Sequence, residues 1–441
     1  MRPLRPLLLA LFTLASATGG QDPFGSVAER ALRARAGMDS LRVLHLGDSH
    51  SGARSFVATW KAYLQAQFGD GGLGYGLPWL SAAGPRCGKT SGWKTLQPTL
   101  RNGTDGRSGP GGAYLEARRS GERAWVETRF RRIRLHLLRQ PGGGRARVRV
   151  DGREVALADL DGPYEAVCIQ PELSVEARRL EVECLGGAAR ILGVTLENGP
   201  GAVYAALGTN GAQASWLLRS DPEVFAGVLR REKPDLVILA FGTNEASLPD
   251  FDPDAYRRSL RTVLERFRAA VPGVALLLLG PPDAVLPRAR PGALAETDRI
   301  QADLARLFGG QFVSQRSAMG GEGSIFAWTS ESLALKDRVH FAPDGYARLA
   351  RAGLAGLMGR LELSKPTIGE DSRLLKARAG AFELPAQAPR LVGRFESGPA
   401  EVPPAPRPIY TFRHEDGRLF ITDDPTKVDG MKGSWVGRGP L

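Results

Sequence analysis

A short apolar segment that ends in a glycine–acid–serine turn constrains the fold of this chain more than any other stretch. Residues Leu41–Leu46 form a mostly apolar run with the length of a buried strand. The run stops at Gly47-Asp48-Ser49, and a helical pattern of apolar residues then continues to about Phe68. A serine at the carboxyl end of a buried strand, beside a helix N-terminus, lies where open α/β sheets bind their ligands. Taken alone, the same triplet is also an ordinary turn or helix cap.

Strands and helices alternate again in the second half of the chain. Apolar runs of strand length lie at 203–207, 235–241, 274–279 and 312–314. Helical patterns cover about 254–270, 293–308 and 343–361. Strands that are buried on both faces and alternate with helices are typical of a parallel sheet with helices on both sides. The sequence therefore predicts a three-layer α/β/α domain.

A different pattern separates the first strand of this domain from the others. Between about residues 91 and 198, apolar and charged residues alternate with a period of two, as at 132–137, 147–150 and 180–184. Gly-rich turns break the alternation, which indicates half-exposed antiparallel strands of an inserted β-sandwich. The glycine-dense stretch before it, residues 69–79, is expected to be a tightly bent loop near the candidate site.

The two ends of the chain have compositions of their own. Residues 384–408 are rich in proline and are typical of an extended linker, and residues 409–425 read as a β-hairpin around a Glu-Asp-Gly turn. The predicted boundaries are a signal peptide at 1–17, the first α/β part at 28–92, the inserted β module at 93–198, the second α/β part at 199–362, the linker at 363–408 and a small C-terminal β module at 409–441.

The N-terminus predicts export to the periplasm or beyond the cell. Arg2 and Arg5 precede the apolar run Leu7–Ala15, and Ala15-Ser16-Ala17 is a small-x-small cleavage site. The run is too short to span a bilayer, and no later segment is long and apolar enough. The formal net charge is +12, but no basic stripe with interleaved aromatic residues is present, which argues against a nucleic-acid partner. An anionic cell envelope and genomic codon bias are both compatible with the arginine content.

The cysteines and histidines do not have the spacing of a metal site. The chain has three cysteines, Cys87, Cys168 and Cys184, with no Cys-x-x-Cys pair and no His-Glu-x-x-His motif. Neither a metal nor another cofactor is therefore expected. An oxidising compartment would permit a disulfide between Cys168 and Cys184, with Cys87 left free.

A nucleophilic serine needs a histidine base and a carboxylate that orients the base. The candidates are the five histidines His45, His50, His136, His340 and His414. His136 and His414 are expected at the surface, His45 in the core, and His50 with Asp48 behind the nucleophile. His340 follows the last strand of the predicted sheet, in a loop where Asp337 precedes it by three residues. That spacing lets the carboxylate reach the ring, although an isolated Asp-x-x-His is more often a surface coincidence.

Acyl transfer also needs donors for the oxyanion of the tetrahedral intermediate. Two further strand ends offer them, the turn at 208–212 and Asn244 after the strand at 235–241. The backbone N–H groups of Ser49 and Gly211 and the side-chain amide of Asn244 are the predicted donors. Gly208 remains an alternative to Gly211, and Gly-Thr-Asn alone is also compatible with a helix cap.

In this order the four strand-end motifs resemble those of the SGNH (GDSL) hydrolase family. The matching residues are Gly47-Asp48-Ser49, Gly211, Gly242-Thr243-Asn244 and Asp337-Arg338-Val339-His340. The resemblance implies a flavodoxin-like fold and ester hydrolysis, with Ser49 as nucleophile, His340 as acid/base and Asp337 as its orienting residue.

His50 after the serine and the block Asn210-Gly211-Ala212 resemble one branch of that family, the bacterial peptidoglycan O-acetylesterases. The branch implies a jelly-roll-like, carbohydrate-binding-like insert and an O-acetylated cell-wall glycan substrate, acetylated at C6 of N-acetylmuramic acid. Two alternatives stay open. One is an esterase or lipase for another acylated polysaccharide or lipid, and the other is a glycan-binding envelope protein without catalysis.

Overall fold

The computed structural model describes residues 22–80, 84–98 and 104–363 and three strands near the C-terminus. The chain divides into two compact units, residues 1–389 and residues 390–441. The predicted signal peptide lies outside the described residues, and so do residues 364–407, which hold the predicted linker.

The strands of the larger unit fall into a first α/β part, a β-rich middle and a second α/β part. They are β1 (Ser40–Gly47), β2 (Asp70–Gly76), β3 (Arg86–Lys89), β4 (Lys94–Leu96), β5 (Tyr114–Ala117), β6 (Arg123–Phe130), β7 (Arg132–Arg139), β8 (Arg145–Val150), β9 (Arg153–Asp159), β10 (Glu165–Ile169), β11 (Ala177–Cys184), β12 (Ala189–Glu197), β13 (Gly201–Gly208), β14 (Leu236–Ala240), β15 (Ala275–Gly280) and β16 (Gln311–Ser314).

Several helices of this unit begin at an aspartate cap. Asp221 and Asp252 accept backbone N–H bonds at the start of α4 and α6, and each is followed by a proline that suits the first helical position. The helices are α1 (Pro23–Arg35), α2 (Ser49–Gly52), α3 (Arg54–Phe68), α4 (Pro222–Glu232), α5 (Thr243–Ala246), α6 (Pro253–Ala270), α7 (Ala293–Leu307), α8 (Gln315–Met319), α9 (Ser324–Ser330) and α10 (Pro343–Leu363).

A parallel sheet between two helical layers forms the centre of the unit. Its strand order is β13-β1-β14-β15-β16. The first strand, β1, therefore has β13 on one side and the later strands β14, β15 and β16 on the other. One face packs on an apolar cluster with Phe56 and Trp60 of α3 and Leu354 of α10, and the other face packs on a cluster with Phe225 of α4 and Phe267 of α6. This is the predicted flavodoxin-like three-layer arrangement, in which β1 lies between β13 and β14.

The prediction of a loop at the glycine-dense stretch was wrong, because most of it is strand β2. This strand pairs with β13 in parallel and with β12 in antiparallel orientation. Its neighbours are so close that a Cβ atom at Gly74 would lie 2.6 Å from the backbone nitrogen of Ala205. The glycines of β2 therefore allow the neighbouring strands to pack closely. They also interrupt the alternation of apolar and polar side chains by which a strand is recognised in a sequence.

Replacing Gly74 by alanine is expected to lower the free energy of unfolding by about 1–3 kcal/mol, because backbone must move to admit the methyl group. Gly76→Ala is the matched control, since a Cβ there meets nothing closer than 3.8 Å, at Leu207. Urea unfolding of both variants measures the difference. Equal stability of the two would contradict the packing assigned to β2.

The β-rich middle consists of two packed sheets. β3, β6, β11, β8 and β9 form a separate five-stranded sheet, whereas β10, β7 and β12 extend the central sheet through β2, with β5 and β4 paired beside β12. An apolar cluster that includes Trp93, Val148 and Ile191 fills the space between the sheets. The inserted all-β sandwich is therefore joined to the α/β sheet by continuous strand pairing.

Two expectations for this region were wrong. The second face of β7 is covered rather than exposed, because α4 packs against it and Glu232 at the end of α4 pairs with Arg134 and His136. The structure also has no Cys168–Cys184 disulfide. All three cysteines are free, and Cys184 is buried in the sandwich core.

The smaller unit is described only by its strands β17 (Pro408–His414), β18 (Leu419–Thr422) and β19 (Gly433–Pro440). β17 and β18 pair antiparallel, with Tyr410 opposite Thr422, as the hairpin pattern predicts. A third strand, β19, pairs with the other edge of β17 and was not predicted. The side chain of His414 lies outside the described part of the chain.

Candidate active site

The candidate nucleophile lies at the carboxyl edge of the parallel sheet. Gly47 ends β1 between Gly208 of β13 and Ala240 of β14, and Ser49 begins the short helix α2 two residues later. Asp48 caps that helix by accepting the N–H of His50 at 2.9 Å. The turn is tight, because a Cβ at Gly47 would lie 2.1 Å from the Ser51 hydroxyl oxygen. Glycine at this position thus lets the serine turn directly out of the strand.

Ser49, His340 and Asp337 form one hydrogen-bonded chain. The Ser49 hydroxyl lies 3.0 Å from Nε2 of His340, and Nδ1 of the same ring lies 2.8 Å from Oδ2 of Asp337. A carboxylate at Nδ1 holds the tautomer in which Nε2 is free to accept a proton from the serine. Ser49 and His340 are separated by 291 positions in sequence, yet they meet at one edge of the sheet.

The loop that carries His340 is fixed by its own backbone. Oδ1 of Asp337 accepts the N–H groups of Val339 and His340, both at 3.0 Å. Arg338 takes a left-handed conformation with φ of 53°, and its carbonyl accepts the N–H of Val285 at 2.9 Å. Partial burial raises the pKa of Asp337, but these N–H bonds and the His340 ring outweigh burial and lower the pKa below its usual value. The carboxylate is therefore ionised beside the ring at neutral pH.

The predicted oxyanion donors lie on the two neighbouring strand ends. Gly211 has φ of 75° in a turn closed by the bond from Ala212 N–H to the Thr209 carbonyl at 3.1 Å. The Asn244 side-chain amide donates to the Ala212 carbonyl at 3.0 Å, so one of its N–H bonds ties it to that turn. Gly208 has a packing role, since a Cβ there would lie 2.1 Å from the backbone nitrogen of Gly52.

The other described histidines are buried. His45 lies in the core of β1, where Nδ1 is 2.7 Å from the Tyr204 hydroxyl and Nε2 is 3.2 Å from that of Ser51. His50 lies behind the site, with Nδ1 3.2 Å from the Tyr346 hydroxyl and its ring centre 5.5 Å from that of His340. Burial lowers the pKa of both rings to about 3, so both are neutral.

The expectation that His136 lies at the surface was wrong. Its ring is fully buried, and Nε2 lies 2.6 Å from Glu232 on α4. The alternation of apolar residues with arginine suggested that this face of β7 is exposed to solvent. The face is covered by α4, which lies almost 100 residues later in the chain.

Two buried carboxyl groups lie beneath the site. Burial raises the pKa of Asp48 to about 8, with a further contribution from the nearby Glu245, and burial raises the pKa of Glu245 to about 7. Sequence reasoning did not single out Glu245. Its position directly after Asn244 was the available signal, but the backbone group that it binds could not be read from the sequence.

The raised pKa of Asp48 predicts that stability falls as the pH rises toward 8. Above the unfolded pKa of about 4, the unfolded chain has released a proton that the folded chain still holds, so rising pH favours unfolding until the folded pKa is passed. Urea unfolding between pH 7.5 and 8.5, where the buried histidines His45 and His50 are largely neutral in the folded and the unfolded chain alike, measures this slope. Asp48→Asn keeps a residue that caps helices and is expected to reduce the slope; an unchanged slope would contradict the assignment.

Comparisons with known proteins find similarity in sequence and in fold. Residues 176–348 match the family model described as the GDSL-like Lipase/Acylhydrolase family. This segment is therefore similar to GDSL-like acylhydrolases. It begins within the inserted sandwich and contains Gly211, Asn244, Asp337 and His340, whereas Ser49 lies before it. Together with the hydrogen-bond contact between Ser49 and His340, the match identifies the chain as a serine ester hydrolase that resembles the SGNH (GDSL) type.

One solved structure is similar to this chain over most of its length, and two others are similar over less than half of it. A peptidoglycan O-acetylesterase aligns over 78% of this chain and 97% of its own, with a TM-score of 0.66 and 24% identity. A lipase/acylhydrolase from Enterococcus faecalis aligns over 38% of this chain and 80% of its own, with a TM-score of 0.30 and 21% identity. An acetylxylan esterase, Axe2 from Geobacillus stearothermophilus, aligns over 36% and 73%, with a TM-score of 0.29 and 21% identity. No curated protein gives a significant match.

The part of the chain that the structure describes holds no cluster of three or more histidine, cysteine or acidic side chains suited to a metal ion. Within the same residues, no helix combines the length and the apolar character that a membrane crossing requires.

Proposed function

We propose that the protein is an exported serine esterase that removes O-acetyl groups from cell-wall glycan. Its substrate is the C6 O-acetyl group of N-acetylmuramic acid in peptidoglycan, and its site of action is the periplasm or the cell exterior. The observation that carries the proposal is the chain of hydrogen bonds from Ser49 through His340 to Asp337.

The first half of the reaction forms an acetyl-enzyme. The Ser49 oxygen attacks the acetyl carbonyl carbon while Nε2 of His340 takes the hydroxyl proton. The carbonyl electrons move onto oxygen, and the N–H groups of Ser49 and Gly211 and the amide of Asn244 stabilise that oxyanion. The C–O bond to the sugar then breaks, and His340 returns the proton to the departing sugar hydroxyl.

The second half releases acetate. His340 takes a proton from water, which attacks the acetyl group on Ser49 and passes through the same oxyanion. Collapse of the intermediate breaks the bond to Ser49, whose oxygen regains its proton from His340. Asp337 remains ionised throughout and stabilises the imidazolium formed in each half.

Three observations support the choice of substrate. The fold likeness to the peptidoglycan O-acetylesterase extends over nearly all of that protein, inserted sandwich included. The net charge of +12 favours an anionic polymer such as the cell wall over a neutral one. The leader with Arg2, Arg5 and the run Leu7–Ala15 supports export.

Hydrolysis of three esters tests the substrate, measured as released acetate for the two glycans and as released p-nitrophenol for the long-chain ester. Purified protein is mixed with O-acetylated peptidoglycan, O-acetylated xylan and a long-chain p-nitrophenyl ester, with Ser49→Ala as the blank. The highest kcat/KM is expected on peptidoglycan. A preference for xylan or for the long chain would assign the same site to another acylated polysaccharide or lipid, and turnover that is equal in the blank on all three would remove the enzyme assignment.

A further inference from the structure

The turn that contains Gly211 is held by two consecutive residues of α5. Asn244 donates its amide to the Ala212 carbonyl at 3.0 Å, and Glu245 accepts the N–H of Ala214 through Oε1 at 2.7 Å. Both bonds lie on the C-terminal side of the Gly211–Ala212 peptide, one at Ala212 and the other at Ala214. Ala214 begins a 3₁₀ helix, Ala214–Leu218, whose first N–H group has no partner within the helix.

The hydrogen bonds of the Glu245 carboxyl group are made to backbone N–H groups, among them that of Ala214. The Glu245 side chain is buried with 6% exposure, and its second oxygen, Oε2, is buried without a hydrogen-bond partner among the described residues. A buried carboxyl group is costly unless its bonds compensate for lost hydration. The ionisable groups that face it are Asp48 before α2 and Tyr256 of α6. Neither is a cation.

We propose that Glu245 is a positioning residue for the oxyanion hole, which acts through the Ala214 N–H to fix the turn that presents Gly211. The inference rests on ester hydrolysis at Ser49 and does not depend on which acyl glycan is the substrate. Glu245 touches neither the substrate nor the reacting atoms. It sets where the Gly211 N–H lies when the oxyanion develops.

The expected kinetic signature follows from that role. Oxyanion donors bind the transition state and not the ground state, so their displacement lowers kcat and leaves KM nearly unchanged. Removal of an oxyanion donor costs roughly 100- to 1,000-fold in kcat, and displacement of an intact donor costs less. A loss of about 10- to 50-fold is therefore expected when the Ala214 bond is removed.

Four variants of the full chain, assayed on p-nitrophenyl acetate, test the proposal. Glu245→Met keeps the side-chain volume and removes the acceptor, while Glu245→Gln keeps an acceptor oxygen. Ala214→Pro removes the donor instead, at a helix start that suits proline and after Gln213, whose extended conformation a following proline favours. Thr243→Val is the matched control, since its buried hydroxyl on the same short helix has no partner.

Glu245→Met and Ala214→Pro are each expected to lower kcat about 10- to 50-fold with KM within about twofold. Their combination is expected to cost little more than either alone, because both remove the same bond. Glu245→Gln is expected to keep kcat within about threefold of wild type, and Thr243→Val to match wild type. The double variant distinguishes this role from general destabilisation, which would make the losses multiply.

Two results would overturn the inference: full kcat in Ala214→Pro or Glu245→Met, or a Glu245→Gln variant as slow as Glu245→Met. With an active wild type, either result leaves the esterase assignment intact. A wild type that does not hydrolyse p-nitrophenyl acetate would overturn both.

Discussion

Ser49→Ala is expected to lower kcat for ester hydrolysis by about three to six orders of magnitude while leaving the fold intact. The change removes the oxygen that becomes acylated, and the remaining turnover comes from the oxyanion donors and bound water. Steady-state kinetics on p-nitrophenyl acetate measure the loss. KM is expected to change little, because the hydroxyl contributes to bond formation and not to ground-state binding.

Thermal unfolding shows whether Ser49→Ala keeps the native fold. Ser49 begins α2, but Asp48 caps that helix through the His50 N–H, a contact that does not involve the serine hydroxyl. Thermal unfolding within about 2 °C of wild type is therefore expected. A Ser49→Ala protein that folds and retains more than about one tenth of the wild-type kcat would contradict the assignment of the nucleophile.

His340→Ala is expected to lower kcat by about three to four orders of magnitude, because no other described group lies within hydrogen-bond distance of the Ser49 hydroxyl. The ring is 38% exposed, so its removal leaves a space open to solvent. Added imidazole is expected to enter that space and restore part of the activity of the variant, with a dependence on the concentration of neutral imidazole. Kinetics with and without imidazole measure both effects.

Lys336→Ala is the control for this loop, since Lys336 is exposed and precedes the Asp337–His340 segment. It is expected to keep wild-type kcat. An equal loss in Lys336→Ala and His340→Ala would indicate that the loop, and not the imidazole, determines the rate. Full activity of His340→Ala would contradict its role as the base.

The strand ends explain why much of the site could be predicted from sequence. Apolar runs of strand length identify β1, β14 and β15, and parallel strands bring their carboxyl ends to one edge. Ser49 and Asn244 each follow such an end directly. Asp337 and His340 are only three residues apart, so their contact is local and readable, whereas the 3.0 Å approach of His340 to Ser49 is a property of the folded chain.

The features that were missed depend on contacts between distant segments. Four of the seven residues of β2 are glycine, because β13 and β12 approach it closely, and a strand with so few side chains has no clear hydrophobic pattern. His136 was placed at the surface because its strand alternates with arginine, yet α4 covers that face and supplies Glu232. Glu245 binds a backbone N–H, which any residue at position 214 other than proline would offer, so no side-chain pattern could reveal it.

Detection of the acetyl-enzyme tests directly whether Ser49 is the nucleophile. The protein is mixed with O-acetylated peptidoglycan, quenched in acid within milliseconds to seconds, digested and analysed by mass spectrometry while free acetate is measured in parallel. One acetyl group is expected on the peptide that contains Ser49, formed before steady-state acetate release and absent from Ser49→Ala. Acetate release without acetylation of Ser49, or with the acetyl group on another residue, would contradict the assignment of Ser49 as the nucleophile.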